Sequence, residues 1–185
     1  MKKISLIIAS LIFSVGMVVA DGPEATHQVN INVPTVALID VEGPGGNNSI
    51  SFTLTAPEEA GLGFVAPSAN NTLWLNLTSI VSSTQTRKVS VNLQSSLQSD
   101  ALGLTVSAAE HSGVGSGTFG EPVGEIEIGS TPKELITGIG SAWTGNGINN
   151  GYQLTYNLVI DEDKYDVLFK QNETATIVYT ISGDN

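Results

Sequence analysis

The densest acidic stretch of the chain could hold a metal ion. Asp161, Asp163 and Asp166 lie close together in a predicted loop that follows a strand ending at Ile160. Alternate carboxylates on a loop are typical of sites for Ca²⁺, a hard cation that takes oxygen ligands. The glycine and the closing glutamate of an EF-hand loop are missing, and Lys164 interrupts the stretch. The alternative is a solvated turn, and we expect no cofactor besides this candidate Ca²⁺ site.

Pairs of carboxylates could in principle hydrolyse glycosides. That chemistry requires a general acid and a second carboxylate on either side of the scissile bond. Glu125 and Glu127 lie on one predicted strand with one residue between them, so both point to the same solvated face. Glu58 and Glu59 suit the first turn of a short helix, where the helix dipole favours acids. We therefore interpret both pairs as solvated carboxylates.

Nucleophilic catalysis needs a base beside the nucleophile, and the chain offers few candidates. Its only histidines are His27, near the start, and His111, which opens a glycine-rich loop. No serine occupies a G-x-S-x-G elbow. Gly115, Gly117 and Gly120 have the spacing of a dinucleotide fingerprint, but a strand rather than a helix follows, and no basic residue lies nearby to hold a pyrophosphate. The sequence therefore predicts a protein that is not an enzyme.

The two tryptophans are the candidate ligand-binding residues. If Leu73, Leu75 and Leu77 face a core, Trp74 points to the opposite face among polar neighbours. An exposed aromatic ring beside polar groups provides a flat platform for a sugar. Trp143 lies at the edge of a loop and could serve in the same way. The alternative for each is burial under a neighbouring loop.

Strands with a repeat of two residues must position these side chains. One apolar and one polar face per strand is typical of antiparallel sheets that are buried on one side. About eight such segments alternate with loops rich in glycine and asparagine, which predicts an all-β antiparallel sandwich of two sheets. A sheet closed on itself would alternate in the same way. The apolar positions are Val29, Ile31, Val33; Ile50, Phe52, Leu54; Leu73, Leu75, Leu77; Val89, Val91, Leu93; Leu102, Leu104, Val106; Ile126, Ile128; Tyr152, Leu154, Tyr156, Leu158, Ile160; and Ile177, Tyr179, Ile181.

Helical signals are restricted to short stretches. Residues 131–134 have a capping-box pattern with proline at the first helical position, and Gly138 could end a single turn. Residues 57–61 could form another turn. Neither stretch is long enough to be an independent helix.

The start of the chain has the layout of a secretory signal peptide. Two lysines precede an apolar run over residues 4–19, and small residues lead to Ala20. We predict cleavage after Ala20, because the run is short for a membrane span and residues 21–23 end it. The prediction is a signal peptide at 1–20 and a single domain at 21–185. The protein would be exported to the periplasm, the cell surface or the extracellular medium, without stable membrane insertion after cleavage.

The chain is strongly acidic and lacks cysteine. Its 18 acidic and 7 basic residues give a formal net charge of −11. Nucleic acid is excluded as a partner, because phosphate binding needs clustered cations. Anionic membrane surfaces are disfavoured for the same reason. The absence of cysteine excludes a small disulfide scaffold, and a domain of this length can form a core without one.

An amphipathic segment follows closely after the predicted cleavage site. Val29, Ile31 and Val33 alternate with polar residues, and Pro34 ends the segment. Such a strand can pair within its own domain. It can also complete the sheet of a neighbouring molecule, since an unpaired edge offers a row of backbone donors and acceptors. We therefore predict that Val29, Ile31 and Val33 form an assembly strand.

The segments VNINVPTVALIDVEG, SISFTLT and ATIVYTIS together resemble the secreted bacterial fimbrial subunits that lack cysteine. The resemblance is restricted to these stretches. The middle of the chain, from Glu58 to Asn150, resembles no family that we can place. It implies an immunoglobulin-like β-sandwich that polymerises by donor-strand exchange. We therefore expect a non-catalytic structural subunit of fimbrial or adhesion type, secreted or at the cell surface, with itself or other surface proteins as partners. The alternative is a carbohydrate- or ligand-binding β-sandwich module that uses Trp74 or Trp143.

Overall fold

The computed structural model describes residue 24 and residues 26–183. These residues form two antiparallel sheets that pack as a sandwich, which confirms the predicted fold class. The described part has eleven strands rather than about eight, because several pairings within loops are only two residues long and leave no periodic pattern. The strands are β1 (Val36–Glu42), β2 (Asn70–Ile80), β3 (Arg87–Leu93), β4 (Leu102–Ala108), β5 (Ser116–Gly117), β6 (Glu121–Pro122), β7 (Ile126–Glu127), β8 (Lys133–Ile139), β9 (Ala142–Trp143), β10 (Tyr152–Ile160) and β11 (Ile177–Gly183).

The two sheets differ in size and in the strands at their edges. The first sheet has the order β5-β9-β2-β10-β4-β7, and β1 also pairs with β2. The long strand β2 pairs with β1 along one edge and with β10 and then β9 along the other. The second sheet has the order β11-β3-β8-β6. Among the described strands, β1 and β11 are therefore edge strands, each hydrogen-bonded to a single neighbour.

The core lies between the sheets and is built from alternate residues of each strand. Leu73, Leu75 and Leu77 of β2 are no more than 4% exposed. Val89 and Val91 of β3 are fully buried on the facing sheet. The apolar alternation in the sequence therefore predicts the core-facing residues of these strands correctly.

A hydrogen bond between two tyrosines joins the sheets across the core. Tyr156 projects from β10 and Tyr179 from β11, and their hydroxyl oxygens lie 2.5 Å apart. Burial raises the pKa of Tyr156 to about 12, against the opposing effect of the hydrogen bond from Tyr179. Burial also raises the pKa of Tyr179, and the neighbouring Tyr156 raises it further. Both hydroxyls are therefore protonated at neutral pH.

The helical turn that the sequence suggests at residues 131–134 does not form. The residues that resemble a helix start lead directly into strand β8, where Leu135 and Ile136 are fully buried. Gly138 has φ +71° and lies in the part of β8 where its pairing with β3 shifts register. Packing against the core overrides the local helical signal. Residues 57–61 contain a turn and no helix.

The strand predicted through Ile50, Phe52 and Leu54 has the expected burial but lacks a ladder. The three side chains are half-buried between exposed polar neighbours. Within the described residues their backbone belongs to no strand, and the nearest pairing is an isolated bridge between Thr55 and Val65. Alternation indicates which face is buried, whereas a ladder also needs a partner backbone at hydrogen-bonding distance.

The contacts within the chain divide it into Met1–Val33 and Pro34–Asn185. All the described strands lie in the second unit. Residues 26–33 belong to no strand, so the strand predicted through Val29, Ile31 and Val33 is absent from the described residues. The three side chains are 69%, 84% and 69% exposed, respectively.

The predicted signal peptide at 1–20 and its cleavage after Ala20 lie outside the described residues, and both stay predictions. Within residue 24 and residues 26–183, no helix is long and apolar enough to span a membrane.

Candidate functional site

A cleft on the outer face of the first sheet gathers side chains that could bind a ligand. Leu38 of β1 lies opposite Thr78 of β2, which lies opposite Trp143 of β9. Directly opposed residues point to the same face of a sheet, so these three form one row across adjacent strands. Leu38 is 64% exposed and Trp143 is 49% exposed. With Asp40 and Asn146 they line a cleft of about 500 Å³, here called the outer cleft.

Buried hydrogen bonds fix the loop that follows Trp143 to β2. The side chain of Thr144 is fully buried, and its Oγ1 accepts a hydrogen bond from the backbone N–H of Leu77 at 2.9 Å. Asn76 is 4% exposed, and its Nδ2 donates to the carbonyl oxygen of Asn150 at 2.8 Å. Its Oδ1 also accepts a backbone N–H from the loop at 2.7 Å. These bonds hold Trp143 at a defined position beside the cleft.

Glycines allow this loop to approach its neighbours closely. Gly151 has φ +81°, and a Cβ there would lie 2.2 Å from the carbonyl oxygen of Leu75. Gly145 has φ +77°, and a Cβ there would lie 2.7 Å from the side chain of Val114. Both the backbone conformation and the space therefore require glycine at these positions.

Trp74 lies on the same outer face but does not line the outer cleft. It is half-buried between Glu42 of β1 and Gln153 of β10 in the register of the sheet. The rise along a strand places it roughly 13 Å from Thr78. Of the predicted ligand-binding residues, Trp143 lines the cleft and Trp74 does not.

The acidic stretch forms a 3-10 turn over Glu162–Val167. Asp161 caps the turn: its Oδ1 accepts from the backbone N–H of Asp163 at 3.2 Å, and its Oδ2 lies 3.0 Å from Nζ of Lys164. The hydrogen bond to Asp161 raises the pKa of Lys164. Among the described residues, no three His, Cys, Asp or Glu side chains are grouped to hold a metal ion. The Ca²⁺ site at Asp161, Asp163 and Asp166 stays a prediction without structural support.

The carboxylates of Glu125 and Glu127 lie on an exposed part of the sheet. Oε1 of Glu125 accepts from Oγ1 of Thr105 at 2.5 Å and from Nδ2 of Asn157 at 2.8 Å. These hydrogen bonds lower the pKa of Glu125, and the bond from Thr105 has the larger effect. Glu125 is therefore ionised and accepts hydrogen bonds at the surface, as expected for a solvated face of the sheet.

The histidines lie in different environments. His111 stacks on Phe119 with ring centroids 3.6 Å apart, and it meets the edge of Tyr152 at 6.1 Å. Its Nε2 is buried and has no hydrogen-bond partner. His27 is exposed and lies outside every strand. The imidazole of His111 therefore serves as a packing surface for an aromatic ring.

The edge strands β1 and β11 bound a side of the sandwich that we call the open side. The two strands lie near each other without being hydrogen-bonded neighbours. Their core-facing residues are half-buried, whereas the ladder partners of these residues on β2 and β3 are buried. The half-buried residues are Ile39 and Val41 in β1 and Ile177, Tyr179 and Ile181 in β11. Apolar surface and a free backbone edge therefore coincide on this side.

Sequence reasoning missed most of the outer cleft. Leu38 and Asp40 lie in the run VALIDVE, where adjacent apolar residues obscure which face is outward. Thr78 and Asn146 have no signal beyond their polarity. The register that aligns β1, β2 and β9 brings these residues together, and alternation within one strand does not specify register between strands.

Comparisons with protein-family models, curated proteins and solved structures found no match for this chain. The resemblance to fimbrial subunits therefore stays a prediction.

Proposed function

We propose that this chain is a non-catalytic structural subunit of a bacterial surface, of fimbrial or adhesion type, whose copies join by a shared strand. The observation that carries the proposal is the exposure of Val29, Ile31 and Val33, which alternate with polar residues and belong to no strand. An unpaired amphipathic strand is a template for pairing with another chain. Burial of each side chain in a partner would contribute roughly 1.5–3 kcal/mol.

The open side offers an acceptor of matching chemistry. Among the described strands β11 pairs with β3 alone, so one of its backbone edges is free. A strand added there would extend the ladder, and its alternate apolar side chains would cover Ile177, Tyr179 and Ile181. The signal peptide predicted at 1–20 fits a subunit that acts outside the cytoplasm.

Ile31→Asp tests this proposal, with Asn32→Asp as the matched control. Ile31 is 84% exposed in the single chain, so the substitution leaves the fold intact. In an assembly the new carboxylate would have to enter an apolar groove without a partner, which is strongly unfavourable. We expect the purified chain to form oligomers that resist detergent until heated, Ile31→Asp to remain monomeric, and Asn32→Asp to assemble, because Asn32 faces the other way.

Light scattering after size exclusion, over a range of protein concentrations, measures these states. A monodisperse monomer at every concentration for the unaltered chain would contradict the proposal. So would assembly of Ile31→Asp to the same extent as Asn32→Asp.

Disulfide trapping tests whether β11 is the acceptor. The chain contains no cysteine, so any disulfide must join the cysteines that were introduced. One batch carries Asn30→Cys and a second carries Thr180→Cys, both at exposed positions. Heating the combined batches until they dissociate, followed by cooling and mild oxidation, should give a mixed dimer. Glu127→Cys, on β7 at the far edge of the first sheet, is the control and should stay unlinked; equal linking at both positions would exclude β11 as the preferred edge.

A further inference from the structure

The outer cleft lies between two exposed apolar side chains. Leu38 and Trp143 project from the sheet on either side of the shorter Thr78. Neighbouring strands are about 4.8 Å apart, so the two walls stand roughly 10 Å apart at their backbones. The cleft volume of about 500 Å³ lies within the range of small-molecule sites. A recess between two exposed apolar side chains is a surface that a ligand would cover.

The aromatic wall of the cleft is held in place before any ligand arrives. Ala142 is 4% exposed, and the buried Thr144 bonds to Leu77 on β2, so both neighbours of Trp143 are anchored. Asn76 ties the following loop to the same strand. Binding to such a site does not require ordering of the backbone, which would otherwise weaken affinity.

The polar groups of the cleft suit a ligand rich in hydroxyl groups. The carboxylate of Asp40 accepts hydrogen bonds, and one of its oxygens already accepts from the backbone N–H of Val41 at 2.8 Å, which orients the group. The hydroxyl of Thr78 and the amide of Asn146 can each donate and accept. An indole ring packs against the C–H face of a pyranose, while its hydroxyl rim requires donors and acceptors of this kind.

Charge selects among sugars. Asp40 lines the cleft, no basic residue lines it among the described residues, and the chain has a formal net charge of −11. An acidic sugar would place its carboxylate beside Asp40 without a compensating cation. An uncharged pyranose avoids this repulsion.

We propose that the outer cleft binds an uncharged pyranose residue of a glycan, with Trp143 as the stacking platform and Asp40 as a hydroxyl acceptor. This activity is separate from strand exchange, because it uses the outer face of the first sheet and neither the free edge of β11 nor residues 28–33. Either proposal can fail while the other holds.

A panel of immobilised neutral and sialylated glycans, followed by calorimetric titration with the soluble methyl glycoside of the best neutral hit, tests the site. We expect the unaltered chain to bind neutral glycans in preference to sialylated ones. Trp143→Ala should weaken binding at least tenfold, and Asp40→Asn should weaken it several-fold while reducing discrimination against sialylated glycans. The matched control is Trp74→Ala, on the same face outside the cleft, which should leave affinity unchanged.

Each variant is checked by circular dichroism and thermal unfolding, so that loss of fold is distinguished from loss of binding. Absence of binding to every neutral glycan at millimolar concentration would overturn the proposal. Equal losses for Trp143→Ala and Trp74→Ala would also overturn it. A Trp143→Ala variant that loses self-association, with no glycan bound by the unaltered chain, would assign the cleft to contact between copies instead.

Discussion

Strands β3 and β11 are hydrogen-bonded neighbours with matching apolar patterns, yet their core-facing residues differ in burial. Val89 pairs with Ile181, and Val91 pairs with Tyr179. Both valines are fully buried, while Ile181 and Tyr179 are half-buried. The difference follows from position, since β3 lies between two strands and β11 lies at an edge.

The comparison shows that a strand can contribute to the core without being fully covered by its own chain. Residues of similar hydrophobicity therefore leave different amounts of apolar surface exposed, and another molecule could cover that surface. On the open side, β1 repeats the pattern of β11, with half-buried Ile39 and Val41 opposite fully or nearly fully buried partners on β2. The buried residues of β3 and the half-buried residues of β11 should therefore respond differently to the same substitution.

The largest expected effect is the difference between Val89→Asp and Ile181→Asp. Val89 has no access to water, so its replacement would bury a carboxylate and cost several kcal/mol, comparable with the whole stability of a domain. Ile181 is half-exposed, so a carboxylate there can reach solvent and should cost about 1–3 kcal/mol. We expect Val89→Asp to be unfolded and Ile181→Asp to be folded but less stable, measured by circular dichroism and urea unfolding. Equal losses at the two positions would mean that the open side is as tightly packed as the interior.

Much of this interior could be predicted from the sequence. The alternation in β2, β3, β4, β10 and β11 identifies the buried face of each strand, because the side-chain period of a strand is fixed at two residues. The edge positions of β1 and β11 could not be predicted, since they depend on which strands pair. The helical signal before β8 was misleading because a capping pattern is local, whereas Leu135 and Ile136 are held by packing against distant strands.

The second largest expected effect is a loss of stability at alkaline pH. It arises from the hydrogen bond that joins Tyr156, on the interior strand β10, to Tyr179, on the edge strand β11. Burial raises the pKa of Tyr156 to about 12, above the ordinary value of 10.0, and raises that of Tyr179 as well. A raised pKa means that the folded state keeps its protons longer than the unfolded state. The stabilisation is therefore complete below about pH 10 and is lost as the pH rises towards the folded pKa.

By about pH 11.5 the loss from Tyr156 should reach about 2 kcal/mol. Urea unfolding at about pH 8 and about pH 11.5 measures it. Tyr156→Phe should lower stability at about pH 8 and reduce the additional alkaline loss, whereas Tyr165→Phe, at an exposed residue, is the control and should leave the alkaline loss unchanged. An alkaline loss that is identical in all three proteins would show that the tyrosine pair is not its source.

The candidate site was less accessible to sequence reasoning than the core. Trp143 could be named because an exposed tryptophan is chemically distinctive. Its partners Leu38 and Asp40 come from a strand more than a hundred residues earlier in the chain, and only the pairing of β1, β2 and β9 brings them together. The acidic turn is held by local contacts instead: Asp161 caps the turn and pairs with Lys164, and the Ca²⁺ site at Asp161, Asp163 and Asp166 stays a prediction.

The smallest expected effect tests whether an ion pair, rather than packing, accounts for the stability of the interior strands. Nζ of Lys88 on β3 lies 2.7 Å from Oε1 of Glu134 on β8. The two side chains are 26% and 49% exposed, so solvent screens the pair, and such pairs contribute about 0.2–1 kcal/mol. A double-mutant cycle of Lys88→Ala and Glu134→Ala, with urea unfolding at low and high salt, separates the pairwise interaction from each residue's other contacts.

We expect a coupling energy between Lys88 and Glu134 below about 1 kcal/mol that decreases in salt. A salt-independent coupling above about 2 kcal/mol would attribute part of the contrast between β3 and β11 to electrostatics, because β3 is hydrogen-bonded to β8 and β11 is not.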